Sequence, residues 1–170
     1  GIAHAEFEVT AEMEAAEEAG DFEHYQQLVV DLPGDAGMLW KYSGEWHKVE
    51  VPTDSAPVAI ELVDDCIFVA YRDGFVARTS DLEAFELSDA LDVADRGEVV
   101  GMVRYGTTVL VATELDLFSL EFPDLNQFAP HVPATVERIC GISVAGDKIW
   151  IFDAEGVYRL DDGKWNQIPI

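Results

Sequence analysis

Positive charge is scarce in this chain. Its 170 residues hold 10 Lys plus Arg against 34 Asp plus Glu, a formal net charge of −24, and lysine occurs only at Lys41, Lys48, Lys148 and Lys164. Nucleic-acid affinity comes largely from side-chain cations that displace counterions from phosphate, so this composition excludes a nucleic-acid partner. Anionic membrane surfaces are disfavoured for the same reason. No apolar run approaches the ~20 residues a membrane-spanning helix needs. No charged start followed by an apolar stretch marks a secretory leader. Cysteine is almost absent. Cys66 and Cys140 are too few for a disulfide scaffold, and their spacing matches no zinc motif. Each lies in an apolar, β-rich stretch, where a thiol is expected to act as a small buried hydrophobe. A reducing cytoplasm is the expected compartment.

Catalytic chemistry is equally sparse. His4, His24, His47 and His131 have no second His or Cys at ligand spacing, so neither a metal nor a cofactor is expected. There is no Gly-x-Ser-x-Gly elbow and no glycine-rich phosphate loop. Carboxylates are abundant, yet nothing in the pattern selects a catalytic pair. Asp64-Asp65 and Asp161-Asp162-Gly163 read as turns in which Asp accepts local backbone N–H groups. They lack the alternating Asp and terminal Glu of a calcium loop.

A chain that is 49% hydrophobic is nonetheless that of an ordinary globular protein, so its acidity does not imply disorder. The length suits one domain able to bury roughly 70% of its unfolded surface. Residues 1–33 stand apart, with nine acidic residues and no Lys or Arg. Thr10 as N-cap, glutamates in the first turn and Gly20 at the end predict a short helix between them. A second stretch from Asp21 to Leu28 reads as helix or strand, and Pro33-Gly34 ends the segment.

From residue 34 to 170 the apolar period is two, and the chain repeats. Val99 to Val111 aligns without a gap on Ile139 to Ile151 at an offset of 40, keeping Gly101/Gly141 and Gly106/Gly146. An earlier copy places Ile67-Phe68-Val69 at an offset of 42 from Val109-Leu110-Val111. Ser80-Asp81-Leu82 to Phe85 matches Pro123-Asp124-Leu125 to Phe128. A partial fourth copy matches Gly44, Trp46 and Val49 to Gly163, Trp165 and Ile168 at an offset of 119, though its alternation changes parity between the glycines. Each full copy reads as four short strands joined by turns. Ile67, Val69, Val109, Val111, Ile149 and Ile151 occupy equivalent positions and are expected to be buried together between neighbouring repeats.

A period near 40 with four strands per copy is the pattern of β-propeller blades, which bury their faces only by stacking. Gly146-Asp147-Lys148-Ile149-Trp150-Ile151-Phe152 followed by Gly156-Val157-Tyr158-Arg159-Leu160 resembles the sensor-type propeller repeats of two-component regulators. WD40 and Kelch signatures are absent. The resemblance implies a mainly β fold of about three and a half to four four-stranded antiparallel blades, preceded by the acidic helical segment. It also implies a habit of binding other molecules on a propeller face. Either residues 3–33 supply the missing inner strands or the ring stays open, in which case the acidic N-terminal helices cover its edge or a partner or further copy completes it.

The expected function is therefore a non-catalytic protein-binding module that docks a protein with a basic surface. The partner-binding residues expected are Glu12, Glu14, Glu17 and Glu18, four glutamates on one short helix with no basic neighbour in residues 1–33. Helices ordinarily gain from Glu–Lys pairs four residues apart, and this one forgoes them. An immunity or inhibitor protein that captures a basic toxin or nuclease is the alternative, and a propeller-type glycosidase or lyase the next. A merely soluble acidic surface, as in a salty cytoplasm, would leave the glutamates touching only water.

Overall fold

The computed structural model describes residues 2–3 and 38–169; the expected helices, and Glu12, Glu14, Glu17 and Glu18 with them, lie outside the described residues. Four antiparallel sheets follow one another along the chain. The first joins β1 (Ile2–Ala3), β2 (Met38–Tyr42) and β3 (Trp46–Val49). The second contains β4 (Pro57–Val63), β5 (Cys66–Tyr71), β6 (Val76–Thr79) and β7 (Glu86–Leu87). A one-turn helix, α1 (Val93–Arg96), leads to the third, with β8 (Val99–Tyr105), β9 (Thr108–Thr113), β10 (Leu117–Glu121) and β11 (Asp124–Gln127). The fourth holds β12 (Gly141–Ala145), β13 (Lys148–Phe152), β14 (Val157–Asp161) and β15 (Lys164–Ile168). In the last three sheets the strands lie side by side in chain order.

Turn chemistry explains the hairpins. Asp64 and Asp65 both have positive φ (48° and 64°), as do Asp162 and Gly163 (46° and 76°); two such residues in succession make the tight turn whose twist matches paired strands. Gly106 and Gly146, at φ 62° and 63°, open the equivalent turns of the third and fourth sheets. The repeated Gly101 serves another purpose. A Cβ there would stand 3.0 Å from Ile142 Cγ2, so the missing side chain lets β8 approach β12, the two innermost strands. The helix α1 was not anticipated, yet Asp92 accepts from Ala94 N–H at its start and Gly97 ends it. The sequence signal was present in Asp92 and Gly97.

Both faces of the middle sheets are apolar, and this builds the stack. Val69, Tyr71 and Ala77 of the second sheet pack on Leu39 and Val49 of the first. On its other face Ala70 and Val76 meet Val109, Val111, Phe118 and Leu120 of the third. The third sheet turns Leu110, Ala112 and Leu117 toward Ile149, Ile151, Tyr158 and Leu160 of the fourth. The equivalent residues are thus buried as expected, with Ile67 only half-buried. They form three separate interfaces rather than one cluster, because each faces the sheet before its own.

Three details differ from the sequence reading. Cys140 is exposed and Cys66 half-buried; alternation along the approach to β12 turns Ile139 inward and Cys140 out, while Cys66 sits at a hairpin end. Phe85 is not the counterpart of Phe128. Ser88 N–H donates to Val76 O where Phe128 N–H donates to Leu117 O, so Ser88 takes the place of Phe128 and the connection after β6 is one residue longer. The first sheet is also built differently. Leu39 pairs with Val49 and Tyr42 with Trp46, as Val157 pairs with Ile168 and Leu160 with Trp165 in the fourth sheet. By register, β2 and β3 are third and fourth strands, and β1 fills the second-strand place. Tyr42 and Trp46 are one residue closer in sequence than Leu160 and Trp165, and that missing residue accounts for the change of parity.

Ile149, fully buried against Leu110, tests the stack. Ile149→Ala is expected to cost about 2–5 kcal/mol in urea denaturation, as large-to-small core changes do. A loss below about 0.5 kcal/mol would put β13 outside the core.

Candidate functional site

In a sheet whose strands run up and down in chain order, the first and third turns emerge at one end. Here that end carries Asp64, Asp65, Asp81, Glu83, Asp124, Asp147 and Asp162. Asp64 and Asp147 side chains are 83% and 84% exposed. Asp64 lies 3.9 Å from Arg104 and Asp147 3.4 Å from Lys148, while Asp65, Asp81, Glu83, Asp124 and Asp162 make no salt bridge with any described residue; the opposite end carries pairs of its own. There Arg96 meets Asp116 at 2.6 Å, Arg138 meets Glu114, and Arg72 lies 3.7 Å from Glu98. Glu114 holds the Arg138 guanidinium above its ordinary pKa, first by hydrogen bonding and then by charge.

Two carboxylates at the hairpin end have displaced pKa values, both downward. Asp81 accepts N–H groups from Glu83 and Ala84 at 2.9 and 3.2 Å, which lower it. Partial burial pulls Asp161 upward, but Arg159 at 2.5 Å and Lys148 at 3.3 Å outweigh it and hold the group low. In return Asp161 raises Lys148. A depressed carboxylate is a permanent anion, not a proton donor near neutral pH. This end presents fixed negative charge, part of it already paired with Arg104, Lys148 and Arg159.

Three grooves flank these turns. One of about 360 Å³ lies between the first two sheets and is lined by Lys41, His47, Lys48, Glu50, Leu82 and Glu83. A second, of about 310 Å³, runs between Tyr105, Phe128, Asp147, Lys148 and Asp162, and the third, about 300 Å³, passes Cys66, Arg78, Thr79 and Asp81. All sit at the lower limit of small-molecule cavities. Among the described residues no three His, Cys, Asp or Glu side chains cluster to hold a metal, and no helix is long and apolar enough to cross a membrane. His47 and His131 are exposed; His4 and His24 lie outside the described residues.

The tryptophans divide. Trp165 packs between the third and fourth sheets and donates its Nε1–H to Pro130 O at 3.2 Å. Trp150 lies under the Arg159 guanidinium, 5.3 Å from its ring centre. Trp46 is 63% exposed, its ring 5.1 Å from that of Tyr42, which is equally exposed. The sequence leaves open that one or two of Trp40, Trp46, Trp150 and Trp165 line an exposed face but does not single out Trp46 or join it to Tyr42, because period-two alternation marks a face as apolar without saying whether a neighbour covers it.

Tyr71 is fully buried, and its hydroxyl has no partner among the described residues; Asp73 Oδ1 is likewise unpartnered. Burial, then the charge of Asp73, pushes the phenol up to about 12. The neutral phenol is favoured in the fold, so its stabilisation is complete below the unfolded value near 10 and is lost as pH climbs from there toward 12. Tyr71→Phe should change neutral-pH stability by less than about 0.5 kcal/mol, since an unsatisfied hydroxyl contributes no net bond. It should also flatten the loss of stability between pH 10 and 12 in pH-dependent urea melts. A neutral-pH loss of about 1–3 kcal/mol would reveal a hydrogen-bond partner.

No protein-family model matches the chain, and no curated protein sequence does. Solved structures do. The computationally designed protein Ika8 superposes with a TM-score of 0.55 at 13% identity, over 76% of this chain and 42% of that one. The computationally designed Ika4 protein superposes at 0.50 with 11% identity, over 69% and 72% respectively. The chain thus spans about two fifths of the length of the first and under three quarters of the second. At this identity the likeness shows the fold alone: a mainly β chain of stacked, antiparallel, propeller-blade-like sheets.

Proposed function

We propose that this protein is a non-catalytic binding module that docks a protein with a basic surface. The observation that carries this reading is the placement of acidic side chains on rigid two-residue turns at one end of the stack, where Asp65 and Asp162 have no salt-bridge partner among the described residues and Asp64 and Asp147, beside Arg104 and Lys148, are still 83% and 84% exposed. Turn residues fixed by hairpin geometry lose little freedom on binding, so charge presented this way is pre-organised. A surplus of 34 acidic over 10 basic residues adds a long-range field that steers a cationic partner and speeds encounter by about 10–10³-fold. The segment bearing Glu12, Glu14, Glu17 and Glu18 adds to the same net negative charge.

Capture from a host extract at low and high salt, followed by association kinetics with the captured protein, tests this. Two variants separate the two acidic surfaces: Glu14, Glu17 and Glu18→Lys for the N-terminal segment, and Asp64, Asp65 and Asp162→Asn for the turns. Asn is chosen because it tolerates positive φ. The surface in use should show an association rate lowered about tenfold or more at low salt, with the difference vanishing near 0.5 M salt. Unchanged rates and salt dependence in both variants would refute docking through acidic groups. Nanomolar affinity for one basic toxin or nuclease, collapsing in salt, would select the inhibitor reading; micromolar, salt-tolerant binding of a peptide would select a generic scaffold.

A further inference from the structure

The stack has two end faces, and each carries the residues that elsewhere form its core. On the first sheet, Trp40, Tyr42 and Trp46 point away from the second sheet. By strand register they replace Tyr158, Leu160 and Trp165, which in the fourth sheet pack on the sheet before it. On the fourth sheet, Trp150, Phe152 and Val157 point away from the third. They replace Leu110, Ala112 and Leu117, which in the third sheet pack on the sheet after it. The chain therefore holds one face of each complementary type. Among the described residues the two do not meet: every core cluster joins successive sheets, and none joins the first to the fourth. Tyr42 and Trp46 remain 63% exposed and Phe152 37%.

Arginine shows the same unfinished pattern. Arg78, on the outward side of the second sheet, lies over Phe122 at the β10–β11 turn of the next sheet, 4.1 Å from its ring centre. Arg159 is its counterpart on the fourth sheet, and with no next sheet it rests on Trp150 of its own. The place of the β10–β11 turn is taken in the first sheet by the Ser43–Glu45 turn, which Tyr42 and Trp46 flank.

We propose that two copies of this chain associate head to tail, the Trp40–Tyr42–Trp46 face of one packing on the Trp150–Phe152–Val157 face of the other. Arg159 then sits over the Tyr42–Trp46 pair as Arg78 sits over Phe122. The occupant is a second copy because the interface continues one the chain already makes three times, with the same residue positions in the same roles. Heterologous contacts close only when the arc fits the turn. The chain superposes on 42% of the Ika8 chain, so two copies together match about four fifths of that chain's length, and a pair that closes makes two contacts. Five aromatic side chains at ~150–250 Å² apiece supply the apolar surface for each contact. The net charge of −24 opposes pairing at low salt. Salt screens that repulsion, so self-association strengthens with ionic strength, the reverse of docking to a basic partner.

Light scattering and sedimentation of the full chain in 0.1 M and 1 M sodium chloride test this. At high salt the mass should rise from the 18.8 kDa monomer to twice that value. Trp46→Glu and Phe152→Glu, each checked for an unchanged circular dichroism spectrum, should separately remain monomeric, with association weakened about 30-fold or more per contact. An equimolar mixture of the two variants keeps one intact face of each type and should form a 1:1 pair that grows no further. If Phe152→Glu still pairs with itself, the contact is symmetric through the first sheet and the proposal fails. A wild-type chain that stays monomeric in 1 M salt at about 100 µM overturns it as well.

Discussion

Everything in this fold depends on sheets that are apolar on both sides. A four-stranded sheet of short strands cannot shield two apolar faces alone, so each must be covered by a neighbour. The strands of the third sheet show this most plainly. Val109 and Val111 face one neighbour while Leu110 and Ala112, between and beside them in sequence, face the other. Alternation that would separate core from solvent in a one-sided sheet here separates one interface from the next. The close passage of β8 and β12 at Gly101 follows from the same demand, since the innermost strands must converge for the faces to meet.

The stack fixes where charge can go. With both faces committed to packing, polar residues are confined to turns, outer strands and the two ends. The end bearing α1 pairs acids with Arg72, Arg96 and Arg138, and the hairpin end pairs Asp64, Asp147 and Asp161 with Arg104, Lys148 and Arg159. At the hairpin end, turns that need positive φ tolerate Asp better than most side chains, and Asp64, Asp65 and Asp162 occupy them. Backbone geometry and surface electrostatics thus draw on the same side chains. A rigid, acidic end is the physical basis for reading the protein as a docking module.

The two end sheets depart from the rule that binds the others. The first sheet has a third and fourth strand from residues 38–49 and a second strand from Ile2–Ala3. Its outward face is the most aromatic surface described. The fourth sheet completes all four strands and presents Trp150, Phe152 and Arg159 outward. The same chemistry that makes the interior interfaces therefore reaches the molecule's ends.

Period-two alternation, the offset of 40 and the turn residues determined strand identity, the repeat and the antiparallel order, because these depend on contacts within about ten residues. The hairpins at Asp64-Asp65, Gly106, Gly146 and Asp162-Gly163 were legible for that reason. So was the burial of Val69, Val111 and Ile151. Tertiary structure alone decided that the equivalent residues divide among three interfaces, that Ile2–Ala3 joins a strand 35 or more residues away, and that Cys140 faces solvent. It also decided that Trp165 is covered while Trp46, its sequence counterpart, is not. A side chain's alternation tells which face it belongs to, and only the presence of the next sheet settles whether that face is core or surface.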